Sequence, residues 1–258
     1  MRQIAFRLIL ALAFLVLPAL PAAAGERLDA IEAAGTLRIG LTGDYKPFSA
    51  LEPGSGEFTG LDVELGRSLA RALGVRPVFV RTSWPTLSAD LEAGRFDIAM
   101  GGISITEARA KIGLFSAPVL SDGKTPITAC KNVSKFQTLD EIDREGVRLV
   151  VNPGGTNEKF ARAHIRRATI IVHPDNNTIF QEIVAGRADL MITDAIETRL
   201  QARLNPSLCA VHPDRPFDRA EKAYFMPKDE ALKTRVDGWL AEAKASGEFA
   251  AALKKWVE

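Results

Sequence analysis

The segment Glu92-Ala-Gly-Arg-Phe-Asp-Ile-Ala-Met100 joins a helix end to a buried strand, and it is echoed by Val184-Ala-Gly-Arg-Ala-Asp-Leu-Met-Ile192. Ala, Gly, Arg and Asp coincide in the two segments at a constant offset of 92 residues. In each copy the glycine is suited to end the helix. Two explanations stay open: a common helix-to-strand loop reached twice, or two lobes of similar architecture. In the second case Gly101-Gly102 and Thr193-Asp194 occupy equivalent places.

Strands and helices alternate on both sides of these segments. Apolar or β-branched runs predict strands over 37–41, 77–80, 97–100, 147–151, 169–172 and 189–193. Helices are predicted after Asp62 as a cap, from Pro85 to about 94, after Thr156, over 177–185 and 195–204, and twice in the last 30 residues or so. Alternating βα units predict parallel sheets covered by helices, and ligands in such sheets bind at the carboxyl ends of strands.

Composition and charge exclude several classes of protein. The chain has 258 residues, 47% hydrophobic and 25% charged, which is ordinary for a globular protein. Its 33 Lys+Arg against 32 Asp+Glu give a net charge of +1, so no basic field for nucleic acid is expected. With two cysteines far apart, no CxxC motif is possible, and the three histidines lack ligand spacing; no metal site is predicted.

Residues 1–24 have the pattern of a secretory signal peptide. Arg2 and Arg7 precede a ten-residue apolar run over 8–17, and Ala22-Ala-Ala24 offers a cleavage site. The run is too short to span a bilayer, although an uncleaved signal anchor is the competing interpretation. Cleavage leaves 31 Lys+Arg and 32 Asp+Glu, a net charge of −1. We expect a soluble protein in a Gram-negative periplasm, without contact to the membrane after cleavage.

The predicted compartment permits disulfides. Cys130 and Cys209 are then expected to pair, the alternative being two buried free thiols. The sequence carries no signal for an oligomeric state.

Motifs along the whole mature chain resemble known families. Gly43-Asp-Tyr-Lys-Pro-Phe48, Gly60-Leu-Asp-Val-Glu64 and the run from Asp97 to Arg109 resemble the periplasmic amino-acid-binding proteins of the type II solute-binding superfamily, family 3. The second half is more similar to the periplasmic cyclohexadienyl dehydratases, which share that fold. The motifs are Asp122-Gly-Lys-Thr-Pro-Ile-Thr128, Val151-Asn-Pro-Gly-Gly-Thr-Asn-Glu-Lys-Phe-Ala-Arg162, His173-Pro-Asp-Asn176, Thr193-Asp-Ala-Ile-Glu197 and Leu208-Cys-Ala-Val-His-Pro213.

The resemblance implies an α/β fold of two lobes with a ligand cleft between them, each lobe a mostly parallel sheet flanked by helices. Lobe 1 would comprise residues 26–121 and 224–258, and lobe 2 residues 124–220. It also implies a lyase of phenylalanine biosynthesis that converts prephenate to phenylpyruvate and L-arogenate to L-phenylalanine, losing CO2 and water. Aromatisation drives this reaction, so neither a metal nor an organic cofactor is expected.

The same resemblance implies residues that bind the substrate. Arg109 would fork a carboxylate, a geometry that suits a planar guanidinium, with Ser104 and the backbone NH of Gly102 beside it. Gly155 and Thr156 would form an anion site at a helix start, although Thr156 also suits a simple N-cap. Asp194 matches the position that holds the α-ammonium in amino-acid binders, which suits arogenate; capping the next helix is its structural alternative. Tyr45, Phe48 and Trp84 would wall the ring, with core packing as the alternative for Trp84, and Lys124 would meet an anion unless it is solvated.

Glu158 is the predicted general acid. The departing hydroxyl needs a proton, and general acid catalysis typically contributes about 10²–10⁴-fold. The competing interpretation is that Glu158 merely complements the dipole of its helix, which favours the carboxylate form. Desolvation and the substrate carboxylates would raise its pKa, so we expect protonation to be linked to substrate binding. The rival function is a non-catalytic amino-acid receptor of a transporter, which leaves the Asn157-Glu158-Lys159 stretch unexplained.

Overall fold

The computed structural model describes residues 25–257, and the predicted signal peptide lies outside them. The strands are β1 Thr36–Leu41, β2 Asp44–Tyr45, β3 Ser49–Leu51, β4 Phe58–Thr59, β5 Arg76–Arg81, β6 Ile98–Ala99, β7 Leu114–Phe115, β8 Leu120–Asp122, β9 Lys124–Ala129, β10 Arg148–Val151, β11 Thr169–Val172, β12 Leu190–Asp194, β13 Leu208–Ala210, β14 Ala220–Lys222 and β15 Phe225–Met226. The helices are α1 Glu26–Ala34, α2 Leu61–Ala72, α3 Leu87–Glu92, α4 Glu107–Ile112, α5 Leu139–Ile142, α6 Thr156–His164, α7 Ile179–Val184, α8 Ala195–Leu204, α9 Glu230–Ala245 and α10 Glu248–Val257, with a 3-10 helix at Cys130–Lys135.

Within residues 25–257, two five-stranded sheets form the framework of the fold. The first has the order β5-β1-β6-β15-β7 and the second the order β11-β10-β12-β9-β13. In each, three strands pair in parallel and one central strand, β15 or β9, runs against both neighbours. The prediction of mostly parallel sheets flanked by helices is therefore confirmed, with one reversed strand per sheet.

The reversed strands follow the points where the chain passes between the sheets. β8 and β14 form a separate antiparallel pair, in which Asp122 lies opposite Ala220. β9 begins two residues after β8, and β15 begins three residues after β14. The chain thus crosses twice side by side and enters each sheet as its antiparallel strand. The exact lobe boundaries stay a prediction.

The helices pack through apolar stripes. In α2 the buried residues Leu61, Leu65 and Leu69 recur every four positions and join the core under the first sheet. The second sheet has cores on both of its faces, one around Leu149 and Ile192 and the other around Val150 and Met191. Because both faces are covered, β12 is buried at all five positions, as is typical of strands in such sheets.

Several predicted helix starts differ from the structure, including that of α7, which begins at Ile179 rather than at residue 177. Gly60 precedes α2, and Asp62 lies in the first turn, where its carboxylate accepts hydrogen bonds from the backbone NH groups of Gly101 and Gly102 at 2.7 and 2.8 Å. Gly155 rather than Thr156 is the N-cap of α6, and α3 begins at Leu87, two residues after Pro85. The Asp62 and Thr156 side chains, which suit a helix cap, instead accept hydrogen bonds from groups distant in sequence.

Candidate active site

The two sheets present their carboxyl ends to each other. β6 leads into Gly101-Gly102 and Ser104, and β12 ends at Asp194. Lys222, the last residue of β14, lies between these ends and donates to Gly102 O at 3.2 Å and to Asp194 Oδ2 at 2.7 Å. The positions that the internal echo pairs, Gly102 and Asp194, are thus joined through one ammonium group.

Asp194 is the centre of a buried charge cluster. Its Oδ1 accepts from Lys124 Nζ at 2.8 Å, and its Oδ2 accepts from Lys222 Nζ and from the Tyr45 hydroxyl. Burial alone would raise the pKa of Asp194, but the two lysines outweigh it and hold the pKa below its usual range. Although Asp194 is the N-cap residue of α8, its side chain makes no capping bond. Its carboxylate is therefore ionised and committed to the cluster.

Lys124 is buried rather than solvated. Besides Asp194 it donates to Thr156 Oγ1 at 2.9 Å and to Asn157 Oδ1 at 2.5 Å. The Asn157 amide in turn donates to Asn152 Oδ1 and Thr193 Oγ1 at 3.1 and 3.0 Å. This network ties the start of α6 to the ends of β9, β10 and β12.

The start of α6 faces the cleft. Gly155, Thr156 and Asn157 line a small cavity together with Gly102, Ser104 and Trp84. Gly154 has φ +76° and lies against Pro85, which follows β5 of the first sheet. A Cβ on Gly154 would come within 2.7 Å of the proline Cα. NH groups in the first turn of a helix lack carbonyl partners within that helix, so this edge suits an anion.

Arg109 is placed behind the cleft by the loop after β6. It is 7% exposed, and its guanidinium donates to Ser104 O at 2.8 Å. The Thr106 hydroxyl caps α4 by accepting from the Arg109 backbone NH. Burial lowers the pKa of Arg109 to about 10, so the group remains a cation at neutral pH. The structure places Arg109 beside Ser104 but not among the residues that line the cavity, and its role in binding a carboxylate stays a prediction.

The aromatic residues form one wall with distinct roles. Tyr45 and Trp84 line the cavity and meet edge to face, with ring centroids 5.6 Å apart. Trp84 Nε1 donates to Asp44 Oδ1 at 3.0 Å. Phe48 is fully buried behind Tyr45, where it supports the wall. A Cβ on Gly102 would come within 2.6 Å of Phe48 and 2.7 Å of Tyr45, so only glycine fits there.

Glu158 lies at the edge of this region and does not line the cavity. Its Oε2 accepts from the Gly154 backbone NH at 2.7 Å, and its Oε1 forms an ion pair with Arg162 at 2.7 Å. These hydrogen bonds lower the pKa of Glu158, and its side chain is 18% exposed. The structure therefore shows an ionised, partly solvated carboxylate; the predicted linkage of its protonation to substrate binding stays a prediction.

Sequence reasoning missed several buried polar groups near the cavity. Burial raises the pKa of Glu197 to about 8, opposed by a hydrogen bond from Thr193, and burial raises the pKa of Asp62 to about 6. Among the described residues, Asn176 Oδ1 is a buried acceptor without a partner, although its amide donates to Asp44 O at 2.8 Å. Asn176 lines the cavity, so this oxygen can accept from a ligand hydroxyl. A lysine directly before the apolar Ala223-Tyr-Phe225 was the one signal for Lys222.

The cavity is small: its empty space, including the part open to solvent, is about 280 Å³, just below the range usual for small-molecule sites. A ring-containing ligand therefore gains room if the walls separate. Contacts across the cleft, such as Asn176 to Asp44 and Gly154 to Pro85, are the ones that must open. No cluster of three or more metal-ligating side chains occurs within residues 25–257.

Cys130 and Cys209 form a disulfide. It joins the end of β9 to β13 at the edge of the second sheet, away from the cavity residues. Within the described range, no helix combines the length and apolarity needed to cross a membrane.

Comparison with known proteins places this geometry in a family. Residues 37–258 match the model of the bacterial extracellular solute-binding proteins, family 3. The chain is 57% identical to a cyclohexadienyl dehydratase of Pseudomonas aeruginosa, over 90% of this chain and 87% of that protein. It is 28% identical to the L-cystine-binding protein TcyJ of Escherichia coli, over 89% and 85%.

Solved structures agree with this grouping. An ancestral amino acid-binding protein, AncCDT-1, described as a precursor of cyclohexadienyl dehydratase, matches with a TM-score of 0.83 and 34% identity, over 90% of this chain and 99% of that one. An ancestral cyclohexadienyl dehydratase, AncCDT-3, matches with a TM-score of 0.57 and 49% identity, over 92% and 97%. The chain therefore belongs to family 3 of the bacterial extracellular solute-binding proteins and, within it, groups with the cyclohexadienyl dehydratases.

Proposed function

We propose that this protein is a cyclohexadienyl dehydratase, a carbon–oxygen lyase that converts prephenate to phenylpyruvate and L-arogenate to L-phenylalanine. The observation that carries the proposal is the 57% identity to the Pseudomonas enzyme across nearly the whole mature chain. The buried cations at the facing strand ends support it, because the substrate of such an enzyme is anionic.

The reaction sets three demands on the site. The bond between the ring and its carboxylate breaks as CO2 leaves, and its electron pair enters the ring. The C4–oxygen bond breaks as the hydroxyl departs with a proton, so water and an aromatic ring result. The site must hold the carboxylates, keep water from the ring and deliver that proton.

Holding the carboxylates is assigned to the cationic side of the cleft. In the proposal Arg109 and Ser104 bind one carboxylate, and the start of α6 at Gly155 and Thr156 binds the other. The backbone NH of Gly102, which the resemblance implies as a further donor, is already used by Asp62 at 2.8 Å. Arg109 is already fixed through Ser104 O at 2.8 Å, so little side-chain freedom is lost on binding. Lys124 Nζ, which donates to Thr156 Oγ1 at 2.9 Å, adds positive charge where the start of α6 binds the second carboxylate.

Excluding water is assigned to the aromatic wall and to closure. Tyr45 and Trp84 pack against the ring in the proposal, with Phe48 behind them. Closing an active site strengthens electrostatic interactions inside it, because water no longer screens them. The contact between Asn176 and Asp44 across the cleft would close over the bound ring.

Delivering the proton is assigned to Glu158. Its carboxylate must leave the Gly154 NH and Arg162, turn into the cleft and gain a proton as the substrate binds. Desolvation and two nearby substrate carboxylates both raise the pKa of a glutamate, opposing the partners that now lower it. Substrate binding and proton uptake are therefore coupled in this proposal.

The proposal also covers the setting of the enzyme. Residues 1–24 direct export to the periplasm and are removed, leaving a chain whose ligands are prephenate and L-arogenate. Residues 26–121 with 224–258 and residues 124–220 move as two lobes about the crossings β8 and β14.

The rival function is an amino-acid receptor, favoured by the similarity to AncCDT-1 and TcyJ. Purified protein lacking residues 1–24 is incubated with prephenate, and phenylpyruvate formation is followed against a buffer control and a matched solute-binding protein. Turnover that scales with protein concentration supports the enzyme. Tight binding of an L-amino acid with no turnover of prephenate or arogenate overturns it.

A further inference from the structure

Lys222 is a buried cation. It ends β14, the second crossing, and its side chain is 1% exposed. Its backbone pairs with Ser104, and the flanking bonds from Ile105 N to Glu221 O and from Ala223 N to Ile103 O extend this pairing. The position of Lys222 is therefore fixed by main-chain contacts with the loop after β6.

The Lys222 ammonium has a complete set of partners. Nζ lies 2.7 Å from Asp194 Oδ2, 3.2 Å from Gly102 O and 3.4 Å from Ser104 Oγ. It also lies over the rings of Tyr45 and Phe48, 5.3 and 5.7 Å from their centroids. A carboxylate, a carbonyl, a hydroxyl and aromatic faces are the groups that recognise an ammonium ion in proteins.

This occupancy leaves Asp194 without room for a third cation. Its other oxygen is held by Lys124 at 2.8 Å, and the Tyr45 hydroxyl also donates to Oδ2. A ligand ammonium approaching Asp194 would meet two ammonium groups before it met the carboxylate. Like charges placed side by side in a poorly solvated site are costly, so an amino group is disfavoured here.

The opposite holds for a ligand without an amino group. Lys124 and Lys222 both contact the Asp194 carboxylate, at 2.8 and 2.7 Å, so two ammonium groups already stand where a ligand ammonium would approach. An anion carrying a keto group in place of an ammonium brings no third cation to this position and can accept hydrogen bonds there.

We propose that Lys222 determines specificity by acting as a built-in ammonium at Asp194, so that the site favours 2-keto acids over the matching 2-amino acids. The inference rests on the proposed function in that it ranks the two substrates, prephenate above L-arogenate. It is independent of how the proton is delivered.

Equilibrium binding of the product pair tests this without catalysis. Phenylpyruvate and L-phenylalanine differ at the keto or ammonium group alone, and calorimetry on the wild-type protein lacking residues 1–24 measures both affinities. We expect phenylpyruvate to bind at least tenfold more tightly. A smaller or reversed preference overturns the inference whether or not any variant folds.

The variant Lys222→Met removes the ammonium group from Asp194 Oδ2, where the Tyr45 hydroxyl remains, and leaves Lys124 to keep that carboxylate ionised. We expect the ratio of phenylpyruvate to L-phenylalanine affinity to fall at least tenfold. Lys255→Met is the control, because it removes an exposed lysine bonded to Glu64 far from the cleft, and its ratio should equal that of wild type. A fall below tenfold in folded Lys222→Met, checked by circular dichroism, contradicts the inference.

Turnover of prephenate, measured on the same samples, separates the two proposals. A wild-type protein that prefers the keto acid but forms no phenylpyruvate overturns the proposed function and leaves the specificity role in place. A wild-type protein that turns over prephenate but prefers L-phenylalanine does the reverse.

Discussion

The two sheets are alike at one end of their strands and differ at the other. At the amino ends, Asp97 and Asp189 share one set of contacts: each accepts from the backbone NH and the guanidinium of an arginine on the neighbouring strand, Arg38 or Arg148. Each arginine also donates to a backbone carbonyl in the loop directly before its aspartate, that of Gly94 or Arg187. Asp97 accepts in addition from Arg27 at 3.3 Å. The Asp of the repeated Ala-Gly-Arg-x-Asp pattern thus forms the same Arg–Asp contact between neighbouring strands in both sheets, here called the clamp.

At the carboxyl ends the echo breaks down. The first sheet offers Gly101-Gly102, whose backbone NH groups bind Asp62, and the second offers Thr193-Asp194, whose carboxylate holds Lys124 and Lys222. Equivalent positions carry a bare backbone on one side and a buried charge on the other. The comparison teaches that the repeated residues serve the fold, and that the residues that differ make the site.

The largest expected effect comes from Glu158, in the first turn of α6, the helix that follows β10. Glu158→Gln removes the proposed acid but keeps an amide of the same size, so kcat for prephenate should fall by about 10²–10⁴-fold. Prephenate affinity should change little, and steady-state kinetics with calorimetry separate the two quantities.

Glu182→Gln is the matched control, because Glu182 is also a partly exposed glutamate paired with an arginine, Arg187 at 2.7 Å, but lies outside the cleft. Its kcat should equal that of wild type. Equal kcat values for both variants would remove Glu158 from the mechanism.

An intermediate effect is expected at the shared clamps. Asp97→Ala removes the acceptor of the partly buried Arg38 NH and of the Arg38 and Arg27 guanidinium groups, which costs about 1–3 kcal/mol of unfolding free energy. Asp189→Ala should cost less, because its side chain is 24% exposed and water replaces part of the bond. Denaturant unfolding checks both values, and kcat should be unchanged in either variant. A loss of kcat with normal stability would break the separation of fold from site.

An effect of a different kind, on the pH dependence of stability, is expected at Glu197 in the first turn of α8, directly after β12. Its pKa of about 8 lies above the ordinary value of 4.5, so the folded protein holds a proton that the unfolded chain releases. The resulting stability is complete below pH 4.5 and is lost as pH rises towards 8, with a slope of about 1.4 kcal/mol per pH unit at most.

In Glu197→Gln this slope should disappear while the hydrogen bond to Thr193 remains possible. Unfolding free energies of wild type and variant at several pH values check it. Parallel curves for the two proteins would show that Glu197 is ionised in the folded state.

The sequence predicted the framework better than the site because the framework depends on local patterns. Strand Thr169–Val172 and helix Ala195–Leu204 have the predicted bounds, since periodicity and turn residues mark them. Strands as short as β14 and β15 carry no periodicity, and their pairing partners are far away in sequence. The prediction of Asp62 as a helix cap is wrong because its partners, the backbone NH groups of Gly101 and Gly102, lie 39 and 40 residues away in sequence.

Within the site, the motif residues were predictable and their partners were not. Arg109, Ser104, Thr156 and Asp194 could be named from the motifs that resemble the family, but nothing local shows that the Asp194 carboxylate is paired with two lysines. Lys222 meets Asp194 from 28 residues away and Gly102 from 120. Such contacts arise only when the second crossing is folded against the first sheet.

The most direct test of the account is a crystal structure of the Glu158→Gln variant with prephenate bound. The account predicts closed lobes, the substrate carboxylates at Arg109 and the start of α6, the residue-158 amide within hydrogen-bond distance of the C4 hydroxyl, and Lys222 still on Asp194. A complex in which residue 158 remains at Gly154 and Arg162, pointing away from the hydroxyl, would contradict it.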